Sequence, residues 1–361
     1  MVVLDDLRQA EDAYVVAERA LSVLAKPYTL DGHQIHCSVS MGIVPCALAA
    51  GDPDAVLQDA SIAMVEAKRA GGDRYVVFES LMHERAALRG GTEGELRRAL
   101  AEGQLFVVYQ PVIGLHEAWH SGASAGVEAL VRWRHVTRGL IPPLEFVGVA
   151  EECGLIGALG NFVLATACHQ FMEWRRQLGT RAPRLLAVNL SRAQLYDAGL
   201  VDEIKGILRV TGMPPECLQL EITESLAAQD ETMKARLQEL KALRLTLALD
   251  DFGPGYSSLA SLHQLPVDTI KVDRSFVCQA ATSAHHRVLI QATVEMARSL
   301  GMSTVAEGIE TEQQADIVRE LGCDKGQGYL FSKPMSALEL VEWLQAQTLS
   351  PHEVVATRKV G

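Results

Sequence analysis

The chain has 361 residues, of which 48% are hydrophobic and 22% are charged, values typical of a protein that buries a sizeable core. Its formal net charge of −12 argues against a protein that binds nucleic acid through a basic face. An acidic protein can still act on an anionic substrate when bound metal ions reverse the local electric field.

The first 80 residues alternate short apolar runs with helical stretches. In chain order, the pattern predicts a strand at 2–4, a helix at 10–25, a strand at 35–44, a helix at 55–70 and a strand at 75–78. These elements are too few for an independent α/β domain with two covered sheet faces. A further helical stretch is interrupted at Arg89–Gly94, where three glycines predict a break and a linker.

A repeating unit follows, in which a short apolar run ends in polar residues and a helical stretch comes next. The predicted strands are Phe106–Gln110, Val127–Arg132, Leu185–Asn189, Leu218–Ile222, Leu245–Asp250, Thr269–Asp273, Ser303–Glu307 and Gly328–Phe331. Eight strands alternating with helices over roughly 250 residues predict an α/β fold, a TIM-like (β/α)8 barrel. Two predicted helix starts directly follow strands, where Ser191 with Gln194 and Thr311 with Gln314 indicate capping boxes.

The connection between the first two barrel strands differs from the others. Residues 114–126 are rich in Gly and Ser and too few for a crossover helix. We therefore expect a hairpin, with the first strand antiparallel to the second. This direction would place the carboxyl end of the first strand, where Gln110 stands, away from the carboxyl ends of the other strands.

Polar side chains stand at or near the carboxyl ends of the strands, where barrel enzymes carry their active sites. They are Gln110, Glu128, Arg132, Asn189, Glu221, Asp250, Asp251, Lys271, Asp273, Glu307 and Gln327. Six of them are carboxylates. Burying each charge costs roughly several kcal/mol, even after the protein relaxes around it, unless a cation compensates the charge. Carboxylates and an Asn carbonyl suit Mg²⁺ or Mn²⁺ better than Zn²⁺. The adjacent Asp250 and Asp251 suggest a carboxylate that bridges two ions about 3.5–4 Å apart, as in two-metal phosphodiester hydrolysis.

The motifs around these residues resemble those of the EAL phosphodiesterases. Gly126–Trp133, which contains Glu128-Ala-Leu130, is similar to the signature that names the family. The other similar motifs are Tyr109–Pro111, Asn189–Ser191, Glu221–Ser225, Asp250–Ser257, Ile270–Asp273, Ala306–Glu310 and Gly326–Phe331. The resemblance covers about residues 95–350. It implies a barrel with an antiparallel first strand, two Mg²⁺ or Mn²⁺ ions, and hydrolysis of cyclic di-GMP to linear pGpG.

The resemblance also implies a role for each site residue. One metal ion would be held by Glu128, Asn189, Glu221 and Asp250, and the other by Asp250, Asp251 and Glu307. The catalytic residues would be Lys271, Glu307 and Gln327, with Lys271 and Gln327 positioning the attacking water and Lys271 favouring its deprotonation. The substrate would contact Gln110, Leu130, Arg132 and Asp273.

A loop that begins at Asp250 carries a further implied role. By resemblance, Glu224 would steady this loop, which contains Gly253 and Gly255 and is also used for homodimerisation. Pro254 replaces the small residue usual at that position. It could stiffen the loop without removing a metal ligand.

The N-terminal segment resembles the carboxyl half of a GGDEF, or diguanylate cyclase, domain. The resemblance rests on Met41–Ile43, Ala63–Lys68 and Arg74-Tyr75, whereas Gly71–Asp73 follows a helix and is no hairpin tip. Without the nucleotide-binding half, we expect no cyclase activity. The predicted domains are a partial GGDEF-like segment (1–80), a linker helix (81–95), the EAL barrel (96–350) and a C-terminal tail (351–361).

Two other functions remain open. The chain could be a catalytically silent receptor for cyclic di-GMP that acts through dimerisation, although silent members usually lose metal ligands that this chain keeps. It could also be an unrelated two-metal barrel hydrolase. A kinase is rejected, because Asp251-Phe252-Gly253 is accompanied by neither a Gly-rich nucleotide loop nor a His-Arg-Asp loop.

Composition also bears on location. No stretch approaches the roughly 20 apolar residues needed to span a bilayer, and the N-terminus lacks the features of a signal peptide. The seven cysteines are scattered and form no C-x-x-C pair, a pattern typical of reduced thiols in a cytosolic protein. We therefore expect a cytoplasmic location.

Overall fold

The structure is a computed structural model of the chain. It describes residues 1–5, 7, 9, 11–30, 33–35, 38–45, 52–69, 72–116, 124–223, 231–253 and 265–347. The chain divides into two compact units, Met1–Glu95 and Leu96–Gly361. Glu224, Pro254 and Gly255, for which the sequence predicts roles in the loop after Asp250, lie outside the described residues.

In its described residues, the first unit contains two small sheets, two complete helices and the start of a third helix, which continues into the second unit. Its elements are α1 (Asp12–Leu24), β1 (Tyr28–Leu30), β2 (His33–Ile35), β3 (Ser40–Ile43), α2 (Pro53–Arg69) and β4 (Arg74–Val77). Strands β1 and β2 pair antiparallel, whereas β3 and β4 pair parallel. Helix α2 approaches β3 so closely that a Cβ added to Gly42 would lie 2.0 Å from the carbonyl oxygen of Ala60.

Two strand predictions for this unit are wrong. Residues 2–4 form no strand, and Val2 and Val3 are exposed. Apolar character alone does not make a strand, because a strand also needs a neighbour to accept its backbone hydrogen bonds. The single strand predicted at 35–44 is instead two strands, β2 and β3, which belong to different sheets.

The predicted break at Arg89–Gly94 is also wrong. Helix α3 (Leu81–Glu102) runs without interruption for 22 residues through the three glycines. Each glycine weakens a helix by about 1 kcal/mol relative to alanine, but it keeps the backbone N–H that proline would remove. The last turns of α3 are fixed by Leu96 and Ala99, which are buried in a cluster with Trp133 and Phe146.

The second unit is built on a closed barrel of eight strands. They are β5 (Leu105–Gly114), β6 (Ser124–His135), β8 (Leu186–Asn189), β9 (Leu218–Thr223), β10 (Thr246–Phe252), β11 (Thr269–Val272), β12 (Ser303–Ala306) and β13 (Lys325–Gly326). A short strand, β7 (Gly139–Ile141), pairs with β6 outside the closed ring. Strand β5 is antiparallel to both of its neighbours, and the other barrel pairs are parallel. The predicted barrel with an antiparallel first strand is confirmed.

The eighth strand lies earlier in the chain than predicted. Strand β13 is Lys325–Gly326, and residues 328–331 form a turn in which Tyr329 is exposed. This turn packs against the backbone of Ile309, because a Cβ on Gly328 would lie 2.1 Å from the Ile309 carbonyl oxygen. The N–H of Leu330 donates to the same oxygen over 2.9 Å. The backbone groups of this apolar run are thus used in a turn at the barrel mouth.

Helices cover the outside of the barrel. They are α4 (Pro143–Glu152), α5 (Ile156–Leu178), α6 (Arg192–Leu195), α7 (Leu200–Thr211), α8 (Glu231–Ala242), α9 (Arg274–Gln279), α10 (Ala284–Ser299), α11 (Glu312–Glu320) and α12 (Ala337–Gln347). Both predicted capping boxes, at Ser191 and at Thr311, are present with their glutamine partners. Among the described residues, no helix combines the length and apolar character needed to cross a membrane.

Candidate active site

The side chain of Lys271 lies at the centre of the barrel mouth. Its Nζ atom is 2.8 Å from Oε2 of Glu221, 2.8 Å from Oε1 of Glu307 and 3.1 Å from Oδ1 of Asp250. Oε2 of Glu128 is 3.8 Å away. The lysine side chain is only 2% exposed, so water does not screen these interactions effectively. One ammonium group therefore faces four carboxylates, three from strands β6, β9 and β10 and one from Glu307, the residue directly after β12.

This crowding changes the pKa values of the group. Burial alone would lower the pKa of Lys271, but the surrounding carboxylates outweigh burial and hold it well above its usual range. Burial raises the pKa of Glu307 to about 8, with Lys271 opposing the shift and Asp250 adding to it. Burial also raises the pKa of Glu221 well above its usual range. Lys271 thus stays charged, and a single ammonium does not neutralise the carboxylates around it.

Two amide side chains hold Glu128 in its charged form. The Nε2 atom of Gln327 donates to Oε2 of Glu128 over 2.6 Å, and Nδ2 of Asn189 donates to Oε1 over 2.8 Å. Burial raises the pKa of Glu128, but Lys271 and these two hydrogen bonds outweigh it, so the pKa lies below its usual value. The bond from Asn189 uses its nitrogen, which leaves the amide oxygen as a potential metal ligand.

Gln110 lies in this group, contrary to the expectation that its strand would carry it away. In the β5–β6 ladder, Gln110 pairs directly with Glu128. Its Oε1 atom accepts a hydrogen bond from Nε2 of Gln327 over 3.2 Å, and its side chain is buried. An antiparallel strand reverses the order of residues along the barrel axis but still places a residue from its middle opposite the site.

A bulge in β10 lets two consecutive aspartates face the same site. Along the pair with β11, the register slips between Leu249 and Phe252, so Asp250 and Asp251 lie in the irregular segment. Consecutive side chains of a regular strand point to opposite faces. Asp251 instead has a left-handed backbone with φ of 55°, and its ligand atom lies within 4.8 Å of those of Asp250 and Glu307.

Asp273 lies beside this bulge at the start of α9. Its Oδ1 atom accepts a hydrogen bond from the backbone N–H of Ser275 over 2.9 Å and so caps the helix. The pKa of Asp251 is raised, first by burial and then by the charges of Asp250 and Asp273. The structure therefore places Asp273 next to the candidate ligands, with one oxygen engaged in the helix cap.

Arg132 and Leu130 lie on β6 at the outer part of the mouth, and both are half-buried. The guanidinium of Arg132 donates from Nη1 to the backbone oxygen of Val131 over 2.7 Å. Burial lowers the pKa of Arg132, while Tyr329 and Glu128 raise it. Tyr329 thus lies near Arg132 at the mouth. The sequence did not indicate this position, because it predicted a strand at residues 328–331.

A layer of polar side chains below Lys271 was also missed. Nε2 of Gln219 donates to Oγ1 of Thr269 over 3.0 Å, and Thr269 Oγ1 lies 3.0 Å from Oγ of Ser303. Gln219 and Thr269 each precede a site residue by two positions on the same strand. The alternation of side chains along a strand therefore offered a signal for this layer.

The donor set fits divalent cations that prefer oxygen. Around Lys271, four carboxylates and one ammonium leave an excess of three negative charges when all are ionised. Oε1 of Gln327 is buried and has no hydrogen-bond partner within the described ranges. Oxygen ligands with excess negative charge suit Mg²⁺ or Mn²⁺, whereas Zn²⁺ prefers nitrogen and sulfur. Asp250, Asp251 and Glu307 form a group that could hold one such ion.

Comparison with known proteins identifies the class. Residues 93–334 match the EAL domain family, and residues 1–74 match the GGDEF domain of diguanylate cyclases. The chain therefore belongs to the EAL family and carries a partial GGDEF match before the barrel.

Relatives from Pseudomonas aeruginosa are similar over nearly the whole chain. MucR, named as a bifunctional diguanylate cyclase and cyclic di-GMP phosphodiesterase, is 38% identical over 344 residues, which are 94% of this chain and 49% of MucR. NbdA, named as a cyclic di-GMP phosphodiesterase, is 37% identical over 346 residues, which are 95% of this chain and 43% of NbdA. The chain thus spans about half the length of the curated relatives it matches.

Two solved structures show the same similarity. The MucR phosphodiesterase in complex with c-di-GMP is 39% identical with a TM-score of 0.65, covering 69% of this chain and 99% of that one. The EAL domain of DcpA from Mycobacterium smegmatis is 35% identical with a TM-score of 0.57, also covering 69% of this chain and 99% of that one.

Proposed function

We propose that this chain is a phosphodiesterase that hydrolyses cyclic di-GMP to linear pGpG with two Mg²⁺ or Mn²⁺ ions. The observation that carries the proposal is the convergence of Glu128, Glu221, Asp250 and Glu307 on the single ammonium group of Lys271. Such an excess of carboxylates around one buried ammonium calls for further cations. The names of MucR and NbdA supply the substrate class.

The candidate ligands form two groups that share Asp250. We propose that one ion is held by Glu128, Asn189, Glu221 and Asp250, and the other by Asp250, Asp251 and Glu307. When bound, the two ions would activate a water molecule and neutralise charge on the phosphate oxygens. The bulge in β10 supports this assignment, because it turns both aspartates toward Glu307.

Lys271 and Gln327 would orient the attacking water in this proposal. The Nζ atom of Lys271 lies 2.8 Å from Glu221 in one group and 2.8 Å from Glu307 in the other, so a single ammonium contacts both groups. Oε1 of Gln327, which has no hydrogen-bond partner among the described residues, offers an acceptor for a proton of the water. Attack of the water oxygen on phosphorus would form one P–O bond and break the bond to the ribose oxygen, giving a linear product.

The substrate would lie across the outer mouth. Arg132 would contact a phosphate, since its half-exposed guanidinium stays charged near neutral pH. Gln110, Leu130 and Asp273 would complete the contacts.

We also propose that the barrel forms a homodimer, and that the chain is organised as a GGDEF-like segment, a connecting helix and the EAL barrel.

A panel of substrates tests the proposal. The pure chain with Mg²⁺ should hydrolyse cyclic di-GMP and leave cyclic AMP, cyclic GMP and bis-p-nitrophenyl phosphate largely intact. Equal turnover of all four compounds would favour a general two-metal hydrolase instead. Binding of cyclic di-GMP without turnover would favour a silent receptor.

A further inference from the structure

Asp251 needs a structural support that its own strand does not provide. Its φ of 55° is unfavourable for a residue with a side chain, and such a conformation persists only where the surroundings enforce it. Yet this backbone geometry turns the carboxylate toward Asp250 and Glu307. What holds the bulge therefore determines whether the second group of ligands exists.

Phe276 occupies the space directly over the bulge. A Cβ atom added to Gly253 would lie 2.3 Å from Cε2 and 2.6 Å from Cζ of the Phe276 ring. The ring thus packs on the bare backbone of Gly253, two residues after Asp251. The φ of Gly253 is 144°, a conformation that side-chain-bearing residues rarely adopt.

Phe276 is itself held firmly. It lies on α9, whose first turn is capped by Asp273, and its ring packs against a core cluster that contains Val272 and Val277. The ring also meets that of His286 on α10 edge-on, with the centroids 5.7 Å apart. Because these contacts fix one side of the Phe276 ring, the ring can fix the position of the Gly253 backbone on its other side.

We propose that Phe276 is a positioning residue for the second metal group, because its ring holds Gly253 and thereby the backbone that aims Asp251 at Asp250 and Glu307. The inference rests on the proposed two-metal function and extends it. Removing the ring should let the bulge relax and turn Asp251 away. The first group, which includes Glu128 and Glu221, does not contain Asp251 and should keep its ion.

Binding of Mn²⁺ in the absence of substrate tests this inference. Free Mn²⁺ is measured by electron paramagnetic resonance during titration of the parent and of Phe276→Ala. The parent should bind two ions per chain. Phe276→Ala should bind one ion with near-parental affinity and the other at least tenfold more weakly. Phe276→Leu, which refills part of the space, should show a smaller loss.

Gly253→Ala is the complementary variant, because its Cβ would collide with the ring and disturb the same backbone. It should weaken the same ion. Phe162→Ala is the matched control, since Phe162 is also half-buried against core clusters but lies on α5. Phe162→Ala should leave both Mn²⁺ affinities within about twofold of the parent. In Phe276→Ala, a higher Mn²⁺ concentration should restore turnover.

The outcomes separate the two proposals. If the parent binds two ions and Phe276→Ala binds both with parental affinity, the role of Phe276 is refuted and the two-metal function stands. If the parent binds fewer than two ions, the two-metal function and this inference both fail. Should Phe276→Ala not fold, Phe276→Leu and Gly253→Ala decide the question, and parental binding in both would refute the inference.

Discussion

The buried Lys271 forms a salt bridge with the partly exposed Glu307, in which Nζ lies 2.8 Å from Oε1. The same ammonium is 2.8 Å from Glu221, so one lysine contacts both proposed groups of metal ligands. The sequence indicated that a cation must lie among the carboxylates. The structure shows that the chain supplies part of that charge itself.

Lys271→Ala should therefore lose most activity while still binding substrate. Lys271 stays charged while no metal is bound, but two bound divalent cations would lower its pKa. If it then orients the attacking water and helps to deprotonate it, Lys271→Ala should lower kcat by about 10²–10⁴-fold, the range typical of general acid–base groups. Lys271→Arg should be little better, because guanidinium cannot be deprotonated in a protein and is larger than the buried ammonium. Steady-state kinetics and a binding titration check this, and an Arg variant near the parental rate would refute the role in deprotonation.

Glu128→Gln should abolish turnover without unfolding the barrel. Gln keeps the shape of Glu128, and its oxygen can still accept from Nε2 of Gln327. Its new NH2 group would face Asn189, whose amide must flip so that its oxygen accepts. Gln lacks the charge needed to hold a divalent ion. We expect kcat/KM to fall at least 10³-fold, equivalent to about 4 kcal/mol of transition-state stabilisation. The unfolding temperature should stay close to that of the parent. Turnover within tenfold of the parent would remove Glu128 from the ligand set.

Much of this site was accessible from sequence, because the barrel brings the ends of distant strands together. Glu128, Glu221 and Lys271 were predicted as neighbours from strand ends alone. In the structure, Nζ of Lys271 lies 3.8 Å from Oε2 of Glu128 and 2.8 Å from Oε2 of Glu221. Gln110 was predicted to contact the substrate, but the expectation that its strand would carry it away from the site is wrong. The register of the antiparallel β5–β6 pair decides how far along the barrel Gln110 lies, and the sequence does not give that register.

Two other features depended on contacts that no local pattern reveals. The bulge that reorients Asp251 depends on how β10 pairs with β11 and on packing by Phe276. The eighth strand was placed at 328–331, because an apolar run there resembles a strand. The close approach of Gly328 to Ile309 makes that run a turn instead.

Ca²⁺ should fail to support turnover even if it binds. It prefers longer bonds and more ligands than Mg²⁺, so it would change the spacing within the groups that share Asp250. A displacement of about 1 Å in a reacting group can cost 10²-fold in rate. Rates measured with each ion after treatment with a chelator check this. Comparable rates with Ca²⁺ and Mg²⁺ would argue against two closely spaced ions.

The continuity of α3 leads to a prediction about stability. Gly91 and Gly94 are exposed on this helix, and a Cβ added to either would meet nothing within 4 Å. Gly91→Ala and Gly94→Ala should each stabilise the helix by about 0.5–1 kcal/mol. Urea unfolding followed by circular dichroism measures the gain. Destabilisation by both substitutions would restore the interpretation of a break at these glycines.

The proposed activity is tested most directly by incubating the pure chain with cyclic di-GMP and Mg²⁺ and separating the products by liquid chromatography. Glu128→Gln and a sample with excess chelator serve as controls. We predict that the parent converts cyclic di-GMP to linear pGpG and that both controls leave it intact. Cyclic di-GMP that is bound by the folded parent but remains uncleaved, with Mg²⁺ and with Mn²⁺, would contradict the proposed phosphodiesterase activity.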